Sequence, residues 1–323
     1  MAKYIIKRVF MLIPILIGVT LLVFILLSFT PGDTARLVLG STATEEQLEM
    51  FREEHGLNDP LLVQYAEYML GVVRGNLGTS YATRQAVSDM IGARVGYTLA
   101  LSFISMFLTI LISLPLGVLM AVKQNSPFDN FMRVASLIFT SMPEFWLGLM
   151  MILLFAVKLG WLPSSGLDNA AGYVMPVLCL ALGGITMCSR TGRSSMLEVI
   201  HQDYIRTARA KGLRYGYIIR HHALKNALLP MVSTYGRIVA TCFSGSVVLE
   251  SVFGINGIGS MMTAALRQKD TPTIMGSIII SACVITLVNL VTDLAYAFID
   301  PRIKSKYVGR KAKSGKKVTA NES

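Results

Sequence analysis

Four long stretches without a charged residue constrain the fold of this chain more than any other feature. No Asp, Glu, Lys or Arg occurs in residues 9–30, 97–122, 170–189 or 271–292, and each stretch is at least 20 residues long. An α-helix rises about 1.5 Å per residue, so about 20 apolar residues cross the hydrocarbon core of a bilayer. A fifth stretch, 134–157, qualifies apart from Glu144. Because a soluble core does not produce several such stretches, the sequence predicts a membrane protein.

The composition agrees with a membrane location. The 323 residues are 53% hydrophobic and only 15% charged, whereas about 25% is usual for a soluble domain. Lys3, Lys7 and Arg8 precede the first apolar stretch, as in a signal peptide. That stretch is long, however, and no small-x-small cleavage site ends it. We therefore expect residues 1–30 to be retained as an N-terminal transmembrane helix.

The distribution of basic residues predicts the topology. Under the positive-inside rule, loops rich in Lys and Arg face the cytoplasm. Placing all the basic segments inside requires an even number of spans, so we expect a further span between Pro230 and about Glu250. The sequence thus predicts an all-α membrane protein with six transmembrane helices and both termini in the cytoplasm. The basic segments are residues 3–8, 123–133, 190–225 and 301–323.

These assignments divide the chain beyond the first helix into three parts. Residues 31–96 form an extracytoplasmic segment, in which helical spacing between 44 and 77 indicates one or two short helices on the outer membrane face. Residues 97–300 form the helical core, which includes a cytoplasmic loop at 194–230. Residues 301–323 form a basic cytoplasmic tail, expected to bind anionic lipid headgroups. Nucleic-acid binding is not expected, because the tail lacks interleaved aromatic residues and a folded reader.

Motifs for catalysis, metal binding and nucleotide binding are missing. No HExxH, CxxC, GxSxG or GxxxxGK[ST] pattern occurs, so we expect no enzyme activity and no cofactor bound by this chain itself. Adjacent His221 and His222 point to different helix faces, which argues against a shared metal site. The cysteines lie in or beside apolar segments and are interpreted as small buried residues: Cys179, Cys188, Cys242 and Cys283.

The loop at 194–230 carries the clearest helical pattern among the polar segments. Gly212 interrupts this pattern, as glycine does at a helix end, and a second amphipathic stretch follows at 215–222. Pro230 is expected to mark the start of the next span. An amphipathic helix-turn-helix of this kind on the cytoplasmic face suits docking of another protein. The alternative is a helix that lies on the membrane surface. The apolar positions recur at helical spacing: Leu197, Ile200, Tyr204 and Ala208.

Two segments of this loop resemble the EAA loop of binding-protein-dependent permeases, in the form found in the dipeptide, oligopeptide and nickel importer family. They are residues 203–213, Asp-Tyr-Ile-Arg-Thr-Ala-Arg-Ala-Lys-Gly-Leu, and residues 220–230, Arg-His-His-Ala-Leu-Lys-Asn-Ala-Leu-Leu-Pro. The long outer segment after the first helix is similar to that of the B-type subunit of this family. Further matching stretches cover nearly the whole chain: 31–33, 75–80, 115–117, 143–148, 160–163, 245–253 and 300–302.

The resemblance implies a permease subunit of an ATP-binding cassette importer for short peptides. The implied partners are a second homologous permease, two cytoplasmic ATPases that bind ATP and Mg, an extracytoplasmic substrate-binding protein and membrane lipid. ATP-driven closure of the ATPases would switch the helical bundles between inward-open and outward-open states. The resemblance also implies the residues that couple this chain to an ATPase: Asp203, Tyr204, Arg206, Thr207, Ala208, Arg209, Ala210, Lys211, Gly212, Leu213 and Pro230.

The sequence departs from the general pattern of the family at three places. Arg206 stands where the EAA pattern has a glutamate, and the closing Leu229-Pro230 comes later than usual. Both departures resemble the peptide-importer variant. Asn256-Gly257 replaces the Pro-Gly expected after Phe253.

Glu144 is the one acidic residue inside a predicted span. An ionised carboxylate there is costly unless it faces a cavity or a partner, and Pro143 should kink the helix and free a carbonyl. We therefore interpret Glu144 and Pro143 as part of the translocation path, where Glu144 would meet the amino terminus of a peptide. Structural pairing at a broken helix is the alternative.

Three other functions are alternatives to peptide import by this family. A secondary transporter would show internal repeats with broken helices in matching positions, and a membrane-embedded enzyme would need a catalytic set inside the spans; neither occurs. Nickel import by the same family stays open. A nickel path is expected to show His or Met ligands in the spans, but the histidines lie outside them and the methionines are scattered. Peptide is therefore favoured.

Overall fold

The fold consists of helices of very different lengths. The computed structural model describes residues 2–299, and for residues 2–9, 229, 244–245 and 293–299 only the backbone. Two segments are π-helical, Ile152–Lys158 and Ile218–Ala223. The first continues the helix called α7 below, and the second joins α10 to α11. The helices are α1 (Ala2–Phe29), α2 (Thr34–Leu39), α3 (Glu45–Glu54), α4 (Leu61–Val73), α5 (Val87–Val122), α6 (Pro127–Ser141), α7 (Glu144–Met151), α8 (Ala170–Ile200), α9 (Asp203–Ala210), α10 (Tyr215–Tyr217), α11 (Leu224–Val252), α12 (Ile258–Gln268) and α13 (Thr271–Ile299).

Six segments of the described chain are candidates for crossing a membrane. Four are single helices: Phe10–Phe29, Val87–Val122, Ala170–Ile200 and Thr271–Thr292. Two more are bent pairs, Pro127–Ser141 with Glu144–Lys158 at 102° and Pro230–Phe243 with Ser246–Val252 at 42°. Counting each bent pair as one span gives the six predicted from the sequence, and the prediction of an all-α membrane fold is confirmed. The cytoplasmic placement of both termini stays a prediction, and the basic tail at 301–323 lies outside the described residues.

Small residues allow α5, α8 and α11 to approach closely in the centre of the bundle. A Cβ atom at Gly117 of α5 would lie 2.9 Å from the Ser189 carbonyl oxygen of α8. Buried hydroxyls add cross-helix hydrogen bonds, such as Ser113 Oγ to Tyr235 Oη at 2.9 Å between α5 and α11. Membrane helices associate through such packing and polar contacts, because lipid provides no hydrophobic driving force between them.

Helix α5 begins earlier than the charge-free stretch predicted. It starts at Val87, so the expected boundary at residue 96 lies inside the helix. The additional turns carry Asp89 and Arg94, and Arg94 Nη1 donates to the Met90 carbonyl at 3.0 Å. Charged residues mark where a helix leaves the hydrocarbon core, and not where the helix itself ends.

The segment between α1 and α5, which the sequence predicts to lie outside the cell and which we call the outer segment, forms a small domain of its own on α1 and α13. Helices α3 and α4 lie within residues 44–77, and α2 precedes them. Thr44 and Gln47 form a capping box that begins α3. Arg52 donates to Asp33 at 2.7 Å, and this hydrogen bond holds the pKa of the Asp33 carboxyl below its ordinary value. On α4, the Tyr65 hydroxyl donates to the Ile17 carbonyl at 3.0 Å, which places α4 along α1.

Lys269 and Asp270 fasten this outer domain to the start of α13. Lys269 has a left-handed backbone, with φ +51°, and its ammonium donates to the carbonyls of Thr30 and Gly32. The buried Asp270 carboxylate accepts from Ser80 Oγ at 2.6 Å and from the Tyr81 amide at 3.0 Å. The outer segment is therefore held by specific polar contacts as well as by apolar packing.

Candidate coupling surface and translocation path

Helix α9 is attached to the bundle by one apolar face. Ile205 is fully buried and Ala208 is nearly so, and both pack in a cluster with Ile218 and Ile219. The cluster also includes Ala121 at the end of α5, as well as residues of α8 and α11. Because these helices meet under α9, its position is fixed by the packing of the whole bundle end.

The opposite face of α9 and the turn after it are exposed. We call this surface, residues 203–204, 206–207 and 209–213, the coupling surface. Arg206 lies 3.6 Å from Asp203 in an ion pair whose side chains are 73% and 97% exposed, so it contributes little to stability. The Arg209 guanidinium lies over the Tyr215 ring at 5.2 Å. The Tyr204 hydroxyl accepts a hydrogen bond from Asn226 Nδ2 at 2.8 Å. The surface is thus basic and aromatic, on a rigid base.

Two details of the predicted loop are wrong, the continuity of its first helix and the burial of Tyr204. Leu197 and Ile200 belong to α8, and the chain turns at 201–202 before α9 begins. The apolar spacing continued across this turn because both helices bury their apolar residues in one cluster. Tyr204, predicted on the apolar face, is exposed. Ala208 points into the cluster, as its place in the apolar spacing predicted, and is not part of the exposed surface. The candidate membrane span begins at Pro230, as predicted, although helix α11 itself begins earlier, at Leu224. Membrane helices tolerate such an internal proline.

Gly212 forms the turn between α9 and α10 with a backbone that favours glycine. Its φ is +77°, and a Cβ atom added there would have no neighbour within 4 Å. The requirement at this position is therefore backbone conformation, not space.

Glu144 lies at the sharp break between α6 and α7. Pro143 precedes the first residue of α7, and the two helical segments meet at 102°. Glu144 is half-buried and borders a cavity of about 350 Å³, which we call the break cavity. Within the described residues, its carboxylate has no hydrogen-bond or ion-pair partner. The cavity is lined by Phe139, Thr140, Met142, Pro143, Glu144, Leu147, Cys179, Leu180, Gly183, Gly184, Met187, Ile238, Thr241 and Cys242.

Besides Asp270, two further buried carboxylates have structural roles that the sequence analysis did not predict. Glu250 near the C-terminal end of α11 is fully buried and accepts from Thr98 Oγ1 at 2.7 Å and from the Ser260 amide at 3.0 Å. Asp129 at the start of α6 accepts two hydrogen bonds from Arg193 of α8, at 2.7 and 2.8 Å. In both cases the partner side chain, Thr98 or Arg193, is distant in sequence, so no local motif indicates the contact.

The His, Cys, Asp and Glu side chains are the candidates for metal binding, and the cysteines are distinguished by their burial. Among the side chains that the structure describes, no group of three or more His, Cys, Asp or Glu residues is arranged to hold a metal ion. Cys179, Cys188 and Cys242 are buried and Cys283 is half-buried, all as free thiols. The prediction of small buried cysteines is confirmed for the first three.

Comparison with known families and structures identifies the class. Residues 113–305 match the model of the binding-protein-dependent transport system inner membrane component, and residues 1–102 match the model of its N-terminal part. The fold is similar to the MetNI methionine ABC transporter, with a TM-score of 0.54 and 23% identity over 65% of this chain and 96% of that chain. The chain is therefore a multi-pass inner-membrane permease subunit of the ATP-binding cassette importer class, a component of a transporter.

Curated relatives are similar over nearly the whole chain. The oligopeptide transport system permease protein AppB of Bacillus subtilis is 39% identical over 94% of this chain and all of its own length. The dipeptide transport system permease protein DppB of Alkalihalophilus pseudofirmus is 37% identical, with the same coverage. The glutathione transport system permease protein GsiC of Escherichia coli is 36% identical over 95% of this chain and all of its own length. The chain belongs to the family of binding-protein-dependent transport system inner membrane components.

Proposed function

We propose that this protein is the transmembrane subunit through which an ATP-driven importer moves short peptides into the cytoplasm. One observation carries the proposal: the three relatives described above are named for oligopeptide, dipeptide and glutathione transport, and each of these cargoes is a peptide. Nickel import is not favoured, because these names share a peptide cargo and no metal cargo.

The proposed assembly contains four kinds of partner. A second homologous permease completes the transmembrane path, two cytoplasmic ATPases supply energy from ATP, and an extracytoplasmic binding protein delivers the peptide. Membrane lipid surrounds the bundle, and its anionic headgroups meet the basic tail. Family membership supports an ATPase and a binding protein as partners, since the family is named for its dependence on a binding protein.

We further propose that the coupling surface docks against one ATPase. A rigid base supports this role, because force applied to α9 passes through Ile205 and Ala208 into the bundle end. The exposed Arg206, Arg209 and Lys211 offer positive charge to acidic groups of a partner. Movement of the ATPases would then change the packing of α5, α8 and α11 relative to one another.

The first test is a double charge reversal, Arg206→Glu with Arg209→Glu, in the complete transporter reconstituted in lipid vesicles. Both side chains are exposed, so the bundle should fold and insert normally. We expect peptide-stimulated ATP hydrolysis and peptide uptake to fall at least tenfold, because like charges at a docked interface cost several kcal/mol. Arg267→Glu, at an exposed position of α12 on the opposite side of the chain, is the matched control and should leave both activities unchanged.

Normal coupled hydrolysis in the double variant would contradict docking through this surface. The peptide cargo is tested separately by uptake of labelled trialanine into wild-type vesicles. Failure of peptide uptake in a complex that hydrolyses ATP in response to another solute would overturn the peptide assignment.

A further inference from the structure

The break cavity has the size and lining of a site for small ligands. Its volume of about 350 Å³ lies within the range of about 300–1,000 Å³ typical of such sites. Most of its walls are apolar, with Thr140, Thr241 and Glu144 as the polar side chains. Met142 and Met187 are flexible and polarisable, so this part of the wall can adapt to ligands of different shape.

Glu144 places an unpaired negative charge in this cavity. A Cβ atom added at Gly183 of α8 would lie 3.8 Å from Glu144 Oε1, so the carboxylate lies against α8 at the wall of the cavity. A carboxylate inside a membrane protein is costly unless it meets a cation, a donor or water. Since the described residues provide no such partner, a cationic group of the transported molecule is the natural counter-charge.

Two arginines follow the break cavity toward the cytoplasmic ends of α8 and α11. Arg190 lies seven residues after Gly183, which is two helical turns along the same face of α8, at a rise of about 10 Å. Arg237 lies one turn from Thr241, which lines the cavity, on the cytoplasmic side of α11. Both side chains are exposed, and neither has an ion-pair partner among the described residues. By contrast, the neighbouring Arg193 is paired with Asp129.

We propose that the break cavity and these two arginines hold a peptide as a zwitterion during translocation, with its terminal ammonium at Glu144 and its terminal carboxylate at Arg190 and Arg237. This proposal rests on the proposed function. A separation of about 10 Å along α8 corresponds to about three residues of extended chain, at 3.3–3.6 Å per residue. Recognition of the two ends by charge-assisted hydrogen bonds leaves the peptide side chains to the adaptable apolar wall.

The negative charge of Glu144 and the positive charges of the two arginines give the site a preference for peptides with two free, charged ends. Apolar packing alone would give no such preference. An acetylated amino end removes the cation that Glu144 would meet, and an amidated carboxyl end removes the anion that the arginines would meet. A peptide with both ends free should therefore bind most tightly, whatever its side chains are.

The test measures peptide occupancy directly in the permease–ATPase complex in lipid, without the binding protein, so that the preferences of the binding protein do not enter. A Thr241→Cys reporter makes the cavity wall reactive toward a small maleimide, and the complex without the reporter gives the background from the native cysteines. The probes are trialanine, N-acetyl-trialanine and trialanine amide. We expect free trialanine to protect the reporter at a concentration at least tenfold lower than either blocked peptide.

Charge-neutralising variants then assign each end. Glu144→Gln should abolish the difference between trialanine and its acetylated form and keep the difference from the amide. Arg190→Gln with Arg237→Gln should do the reverse. Glu54→Gln on the outer helix α3 and Arg267→Gln on α12 are matched controls at exposed positions, and should change neither difference.

Equal protection by free and blocked peptides in the reporter complex would overturn the proposal without reference to any further variant. Protection that is insensitive to the arginine changes would mean that Arg190 and Arg237 contact lipid headgroups, and the carboxylate half would be wrong. In both cases the proposed function stands if the complete transporter still takes up trialanine. Absence of uptake by the wild-type assembly would instead overturn the proposed function.

Discussion

Glu250 illustrates how one buried side chain organises the C-terminal end of α11. Its carboxylate accepts from Thr98 of α5 and from the amide of Ser260 near the start of α12, so three helices meet at one group. Carboxylates are stabilised at helix N-termini, where amide groups are unpaired. The sequence showed Asn256-Gly257 in place of Pro-Gly, and the structure gives the reason for the glycine. A Cβ atom at Gly257 would collide with the Glu250 carboxylate.

At this residue we predict that Gly257→Ala destabilises the protein. The added methyl group displaces the Glu250 carboxylate from its donors, and a buried polar group left without partners costs about 1–3 kcal/mol, or more when it is charged. The measurement is thermal unfolding in detergent, followed by the reactivity of the buried thiols of Cys179, Cys188 and Cys242. The midpoint should fall by several degrees.

Gly92→Ala in α5 is the matched control for this change. Gly92 is exposed and helical, and a Cβ atom there meets nothing within 4 Å. Alanine should therefore leave stability unchanged or raise it by about 0.5–1 kcal/mol. Equal midpoints for Gly257→Ala and Gly92→Ala would show that the outer loop can move away from Glu250.

At the scale of elements, hydropathy predicts where helices cross a membrane better than how they bend or end. The four charge-free stretches correctly predicted the four single spans. They did so because lipid imposes the same apolar requirement along the whole length of a span. Pro143 indicated a kink, but proline alone does not set an angle of 102°. That angle depends on contacts with neighbouring helices, such as Gly148 of α7 against Phe253. The turn between α8 and α9 was missed because the apolar pattern continues through it.

For the turn after α9 we predict that Gly212→Ala weakens coupling and that Gly212→Asn weakens it less. A left-handed backbone costs about 1–2 kcal/mol for a residue with a Cβ atom, and asparagine tolerates it better than alanine. The measurement is the ratio of peptide uptake to ATP hydrolysis in vesicles. Since nothing crowds this position, insertion of both variants should be normal. Identical ratios for alanine and asparagine variants would contradict a conformational requirement at Gly212.

At the scale of the whole molecule, the number of spans and the family could be predicted from the sequence. The side-chain contacts between distant parts of the chain could not. The resemblance of the 203–230 loop indicated a transporter subunit because that motif is long and specific. The Asp129–Arg193 pair and the Lys269 contacts join residues far apart in the chain, and a single sequence gives no signal for such pairs. Orientation in the membrane likewise comes from the positive-inside rule and not from the helices themselves.

We predict that α3 faces the outside of the cell and that the start of α9 faces the cytoplasm. A cysteine introduced at Glu46, exposed on α3, should react with a membrane-impermeant maleimide added outside intact cells. A cysteine at Gln202, exposed before α9, should react only after the membrane is made permeable. The basic segments near residues 123–133 and 190–225 require this arrangement. Labelling of the Gln202 position from outside would invert the topology and exclude the coupling surface from contact with cytoplasmic ATPases.

The continuous helical path from Tyr215 to Val252 has a mechanical consequence. Its first turns, at Ile218 and Ile219, lie beneath α9, and its last turn carries Glu250, which holds the start of α12. The path is about 55 Å long at the rise of an α-helix, with a bend of 42° near its outer end. It therefore has the geometry of a lever arm: a tilt of a few degrees at the inner end displaces the outer end by several ångströms. The two sides of the membrane are linked in this chain by one piece of backbone.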